Sequence, residues 1–337
     1  MILSSAIGLL VGLALAGVLI AMNDPAQILR LLLETGWWMV LVVALNVAQI
    51  FASAAGWAPL IEDPRRPGLL GLARLRWIRV ATNAILPVVQ AVGELVRAQL
   101  LFRAGVAKVR VIASVATDLG TEMASQIAFS LLGLAVLMMI PHAGGGSTTQ
   151  WAVVGTALGA GVTGAFMAAH RWGLFRVIER MLPGRAARAG WTSLGELSGL
   201  DDAVAGLYRQ PGRLWRSGGW HFVSWLVGVL ETWAALHAVG SDAGLAEALV
   251  IESQGQAVRS AGFFIPGALG LQEGGYVLIC ALFGIPAEQA IALVLVRRLR
   301  DVILGVPGVI VWRWGVAADR AGIPVTEAPV SEARGHS

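Results

Sequence analysis

Cysteine, lysine and every familiar catalytic pattern are scarce or missing in this chain. Its one cysteine, Cys280, sits in an apolar run, which excludes an intramolecular disulfide and leaves packing as its simplest role. Lysine also occurs once, at Lys108, against 24 arginines; with the abundant Ala and Gly this is the composition of a high-GC bacterial protein. The five histidines (His142, His170, His221, His237, His336) show no metal-ligand spacing among themselves or with Cys280. Gly144-Gly145-Gly146-Ser147-Thr148 lacks the lysine of a phosphate loop and reads as a flexible turn. Asp201-Asp202 has no second acidic pair, and no serine stands in a nucleophile elbow. No metal or cofactor is expected, and an enzyme is disfavoured, although an intramembrane transferase can work with scattered carboxylates and arginines. Charge is scarce as well: 14% of the 337 residues are charged and 56% hydrophobic, with mean hydropathy +0.71. A soluble fold cannot hide that much apolar surface, so the chain is expected to be integral to a membrane. The sequence pI near 10 then points to anionic lipid headgroups rather than nucleic acid, because the arginines gather in particular loops.

Crossing about 30 Å of hydrocarbon takes about 20 apolar residues. Such runs lie at 2–22, 37–60, 111–140, 150–169, 217–239 and 286–314. The first has no basic n-region or small-residue cleavage site, and is expected to be a retained span. The connection 62–79 holds five arginines against two acids, and 171–216 eight against four. Connections 23–36, 141–149 and 240–248 together hold one arginine and four acids. The positive-inside rule puts the first set in the cytoplasm, with both termini, and the second set outside. The connection 170–216 interleaves Arg with Leu, Trp and Val, as amphipathic helices on the inner leaflet do, a solvated linker being the alternative. Residues 1–318 are thus one membrane domain, and 319–337 a polar tail expected to be disordered.

Two further apolar regions, 77–103 and 248–284, are interrupted in the same way. Ile85-Leu86-Pro87 precedes Gly93-Glu94, and Phe264-Ile265-Pro266 precedes Gln272-Glu273, 179 residues later. The same offset pairs Gly105-Val106 with Gly284-Ile285, and Glu122 with Asp301. Proline opens a helical ladder and a carboxylate is costly in hydrocarbon, so each pair marks a broken polar element at membrane depth. Paired interruptions in two halves point to a transport site. The loop charges require region 77–103 to enter from the cytoplasm and return there, and 248–284 to do the same from outside. The expected fold is an all-α polytopic membrane protein with about six full spans and two oppositely oriented re-entrant hairpins. Their tips lie at Pro87 and at Pro266, Gly267 and Gly270, and together they form an inverted repeat; eight full spans is the alternative.

The charges within these segments are the candidate lipid path. Asp118 and Glu122 are four apart on one span; Arg297 and Asp301 are four apart on the last, beside Arg298 and Arg300. Glu94 and Arg97 share a face after the first tip; Glu252, Gln256 and Arg259 form a stripe leading to the second, followed by Gln272 and Glu273. Ionised groups at the bilayer centre should face one another or water. They serve either as ion pairs holding the bundle together or as the lining of a hydrated groove. Arg297 and Asp301 have the spacing of an intrahelical pair. The inverted repeat further predicts that Asp118 or Glu122 pairs across the protein with Arg297, Arg298 or Arg300. His221 and Glu231 are more isolated in the sequence and are expected to hold the bundle together rather than to line a path.

The stretch Gly255-Gln256-Ala257-Val258-Arg259, with Phe263-Phe264-Ile265-Pro266-Gly267-Ala268-Leu269-Gly270-Leu271-Gln272-Glu273-Gly274-Gly275, resembles the signature of the flippase-like transmembrane domain of lysylphosphatidylglycerol synthases. More closely it is similar to hopanoid-biosynthesis-associated membrane proteins of the HpnL type. Asn83 to Arg97, with Pro87 and Gly93-Glu94-Leu95-Val96-Arg97, resembles the same domain's first signature, and the likeness spans roughly residues 5–314. The synthases carry a soluble aminoacyl-transferase domain after this part. The resemblance therefore implies the lipid-translocating half alone, in a bacterial inner membrane. The implied cargo is a hopanoid or related polycyclic lipid, or an anionic phospholipid, with hopanoid-biosynthesis or lipid-transport proteins as possible partners. A lipid-modifying membrane enzyme and a small-solute secondary transporter are the rival classes.

Overall fold

The computed structural model describes residues 25–85, 91–140, 161, 199–261 and 271–320. In chain order the helices are α1 (Pro25–Glu34), α2 (Trp38–Trp57), α3 (Leu69–Ile85), α4 (Ala91–Arg103) and α5 (Lys108–Met139). Then come α6 (Leu200–Tyr208), α7 (Pro211–Ala238), α8 (Leu245–Ala261), α9 (Leu271–Ala281) and α10 (Ala287–Arg320). No strand occurs among the described residues, and the chain is an all-α polytopic membrane protein. The expected span 2–22 and, apart from residue 161, the expected span 150–169 lie outside the described residues. So do most of the connection 170–216, the tail beyond 320, and the tips with Pro87, Pro266, Gly267 and Gly270.

Helix lengths follow from the apolar runs. The stretch Trp38–Leu60 and α5 are both long and apolar enough to cross a bilayer. α7 and α10, with 28 and 34 residues, are long enough but carry charges; His221, Glu231, Arg297 and Arg300 turn inward, while Arg216 and Arg313 nearer the helix ends are exposed. On α10, Leu299, Val302, Ile303, Val306 and Ile310 are exposed while Arg297 and Arg300 are buried, the reverse of a soluble helix. α7 starts at Pro211, six residues before the expected span; proline is harmless in a first turn because that N–H has no helical partner.

The interrupted regions each become two helices, α3 with α4 and α8 with α9, that pack against each other on either side of the undescribed tips. Their register matches the 179-residue offset. α5 begins at 108 and α10 at 287, and each is preceded by a glycine with positive φ, Gly105 at +91° and Gly284 at +69°. A left-handed residue that stops one helix and turns the chain into the next suits glycine, which has no Cβ to clash. Val106 and Ile285, the next residues, are both buried.

Packing between the halves follows the same relation. α10 lies along α3, the first arm of the first hairpin, and α5 lies along α8, the first arm of the second. Each half thus sends its post-hairpin helix across the other half's hairpin. Both crossings are made close by glycine. A Cβ on Gly308 would come 2.5 Å from that of Ala81, and one on Gly133 would collide with Ser253. Small residues at such crossings let backbones approach without a hydrophobic driving force between helices. Hydrogen bonds tie both: Trp77 Nε1 donates to the Leu304 carbonyl at 2.9 Å, and Gln254 Nε2 to that of Ser130 at 3.2 Å. Between the crossings, α2 and α7 pack along each other in the most extensive helix pair, forming a spine that touches both hairpins.

Candidate functional site: two buried charge clusters

The first cluster gathers where α3, α4 and α5 meet the spine. Asp118 is its centre and is fully buried. Its Oδ2 accepts from Arg76 at 2.9 Å and Arg97 at 2.6 Å, and its Oδ1 lies 2.9 Å from His221 Nε2. One turn along, Glu122 lies 3.3 Å from both Arg76 and Arg79. Glu94 closes the ring, bonded to Arg79 and, at 2.5 Å, to Arg97. Ser53 accepts from Arg76, and the Arg97 guanidinium stacks 4.7 Å from the Trp57 ring. Gly56 makes room for His221, since a Cβ there would lie 3.0 Å from Nε2. Three guanidinium groups thus meet three carboxylates in a site only Arg79, Glu94 and Glu122 expose at all, at 14–18% of their side chains.

The second cluster stands about 15 Å further along α7, ten residues at 1.5 Å each from His221 to Glu231. Arg297 of α10 bonds Glu252 of α8 at 2.5 and 3.1 Å and also donates to Tyr276 Oη at 2.8 Å and Thr232 Oγ1 at 3.1 Å. Thr232 and Gln256 donate to Glu252 at 2.6 and 2.7 Å. Arg300 bonds Glu231 and, at 2.6 Å, Asp301. Glu231 further accepts from Asn46 at 3.0 Å and from Gln49, both on α2. Burying ions costs several kcal/mol each unless they are paired and hydrogen-bonded, and here each buried carboxylate is.

Several expectations are corrected by this geometry. Asp118 and Glu122 do not pair with Arg297, Arg298 or Arg300; they are neutralised within their own half, by Arg76, Arg79 and Arg97. Each hairpin brings charge of the sign its neighbouring helix lacks, so no bridge across the molecule is needed. Arg297 and Asp301 are not an intrahelical pair, because Glu252 takes the first and Arg300 the second. His221 and Glu231, isolated in the sequence, are drawn into the clusters, His221 bonded to Asp118 and Glu231 to Arg300. Arg76 and Arg79, cytoplasmic loop charges by the sequence, lie on α3, and Arg76 is 1% exposed. Their spacing of three, one helical face, was the available signal. Glu94 and Arg97 share a face as expected. Arg259 ends α8 with its side chain exposed, beside the undescribed tip. Gln272 and Glu273 open α9, and their side chains lie outside the described residues.

No group of His, Cys, Asp or Glu among the described residues has the arrangement of a metal site. What both clusters offer chemically is dense ion pairing buried between the helices. A comparison with family models finds one that matches residues 5–308, described as the lysylphosphatidylglycerol synthase TM region. Neither curated proteins nor solved structures give a match.

Proposed function

We propose that this chain, which belongs to the lysylphosphatidylglycerol synthase transmembrane-region family, moves a lipid between leaflets of a bacterial inner membrane without changing it chemically. The family and the helices support a membrane-lipid role. The observation that carries the reading is the pair of neutralised clusters on equivalent elements of two exchanged halves. Each combines a hairpin, the helix that follows it and the common spine, so a headgroup passing either hairpin meets arginines and carboxylates in place of water. Ion pairs needed only as fasteners would not have to recur at both hairpins. The tail of the lipid stays in the bilayer, against the apolar outer faces of helices such as α10. The cargo favoured by the sequence signature is a hopanoid or related polycyclic lipid, with partners in hopanoid biosynthesis or lipid transport.

Reconstitution tests the reading. Proteoliposomes carrying a labelled hopanoid or phospholipid in one leaflet should show it reach the other, with its mass unchanged. A chemically altered lipid would make the protein an enzyme, and uptake of a solute indifferent to lipid would make it a solute transporter. Glu94→Gln, which keeps size and hydrogen bonding but removes the charge held by Arg79 and Arg97, should slow movement at least tenfold while the protein still inserts and elutes as a folded species. Undiminished movement in that variant would take Glu94 out of the path.

A further inference from the structure

We infer that the first cluster binds one proton, at His221–Asp118, together with one anionic oxygen, at Arg97 and Arg76, so that the two are taken up as a unit. This rests on the lipid-translocation reading and adds a coupling ion and a headgroup chemistry to it. Three observations carry it.

The first is the tautomer of His221. Arg76 Nη2 lies 3.5 Å from His221 Nδ1, and a guanidinium only donates, so Nδ1 is an acceptor there. The ring proton is then on Nε2, donated to Asp118 Oδ1 at 2.9 Å, and the imidazole is neutral. The second is charge balance. The groups around the ring are Arg76 and Arg79 from α3, Arg97 and Glu94 from α4, and Asp118 and Glu122 from α5, with uncharged Ser53 from α2. They sum to zero, and with a neutral His221 the cluster is closed. The third is an imbalance of hydrogen bonds. Arg97 Nη2 and Arg76 Nε are buried without any acceptor, although both side chains are at most 1% exposed. Unfilled donors on two guanidinium groups that meet at one carboxylate oxygen describe a place for an added acceptor.

A proton entering this site goes to His221 Nδ1, the one basic nitrogen not already carrying hydrogen. That sets N–H against N–H, breaks the contact with Arg76 and leaves the cluster with one excess positive charge in a dry setting. An anion on the two spare donors restores neutrality, and an anion alone is opposed by the same balance in the opposite sense. Proton and anion therefore each favour the other. The chemistry is that of a phosphate oxygen, which a phospholipid headgroup or free phosphate can supply.

The test is calorimetric affinity and proton uptake of the detergent-solubilised full chain, with short-chain phosphatidylglycerol, short-chain phosphatidylcholine and inorganic phosphate as probes. Linked uptake of one proton makes phosphatidylglycerol bind about tenfold tighter per unit fall in pH within the titrating range. It also draws about one proton per bound lipid from a weak buffer. His221→Gln should remove the pH slope and the proton uptake, whereas His237→Gln should keep both, and thermal melting in each verifies the fold. If His221→Gln does not fold, the wild-type slope still decides. An affinity for phosphatidylglycerol that is flat with pH overturns the coupling, as does a slope that survives in folded His221→Gln. Tighter binding of phosphatidylcholine than of phosphatidylglycerol overturns the anion site. Coupled uptake with inorganic phosphate and none with phosphatidylglycerol upholds the proton–anion site but removes the lipid as its ligand. Lipid movement that proceeds without proton uptake would leave the translocation reading standing and this inference refuted.

Discussion

The two halves place opposite charges at matching positions. Asp118 in the first half corresponds to Arg297 in the second, 179 residues on, and each bonds partners from both a hairpin and the spine. Asp118 is held by two hairpin arginines and a spine histidine; Arg297 is held by a hairpin glutamate, a hairpin tyrosine and a spine threonine. What recurs between the halves is the neutralised contact of three elements, and the sign at any one position is free to invert. That is expected when burial of a charge is tolerated only through its partner. The practical difference is redundancy of charge: two arginines meet Asp118, while Glu252 has one, with Thr232 and Gln256 as neutral donors.

Removing an arginine from each half puts that redundancy to the test. Arg297→Ala strands Glu252 with only Thr232 and Gln256, and loss of one member of a buried pair costs about 3–5 kcal/mol. Arg97→Ala leaves Asp118 with Arg76 and His221, and Glu94 with Arg79, so its cost should be near that of a lost charged hydrogen bond, about 2 kcal/mol. Chemical unfolding of the two variants in the same detergent gives the order. Equal losses would mean the first cluster acts as one indivisible unit. Exchanging the charges, Arg297→Glu with Glu252→Arg, should recover part of the larger loss.

The glycine crossings sharpen the same comparison at lower energy. Gly308→Ala overpacks against Ala81 and Trp77, and Gly133→Ala against Ser253, each at about 1–3 kcal/mol. If the exchanged packing of the halves is real, the second change should rescue the first on both sides. Gly308→Ala with Ala81→Gly, and Gly133→Ala with Ser253→Gly, should each melt closer to wild type than the single glycine variants. Rescue on one side alone would show that only one crossing is close-packed.

How much of this was readable in the sequence depended on the range of the signal. The long helices were legible from apolar run length, and the repeat from Pro87/Pro266, Glu94/Glu273 and Gly105/Gly284, because turn glycines and helix-breaking prolines act locally. Glu94 with Arg97 was legible for the same reason, being one turn apart. The partners of Asp118 and Arg297 were not, since they come from residues 21 to 103 and 21 to 65 positions away, and no spacing encodes that. Arg76 and Arg79 were misassigned because a loop-charge count treats every arginine near a span end as solvated. α3 carries them inward on one face, as their spacing of three allows, while Arg65, Arg66 and Arg74 stay exposed.

The smallest effect distinguishes the two corners that precede α5 and α10. In the first, Asp63 is buried and its carboxylate accepts the backbone N–H of Arg65 at 3.0 Å and of Ala107, just before α5, at 3.4 Å. In the second, the corresponding residues are Asp242 and Pro286; proline has no N–H to give, Asp242 is exposed, and an open cavity of about 650 Å3 separates the stretch 240–247 from 282–289. The Arg65 amide is the main influence holding the Asp63 carboxyl below its ordinary value, aided by the Ala107 amide and the Arg65 side chain, against the opposing effect of burial. A carboxylate with a lowered folded pKa stabilises the protein above its unfolded value, near 3.9, and loses that contribution as pH falls through the folded value. Asp63→Asn should therefore lower Tm at neutral pH, by less than either glycine variant, and the gap from wild type should close in acid below about pH 4. Asp242→Asn, at an exposed residue with no such N–H to accept, should leave Tm at neutral pH unchanged. A Tm loss for Asp242→Asn as large as that for Asp63→Asn would show that the second corner is capped as the first is, and that the difference between the two corners lies elsewhere than in Ala107 and Pro286.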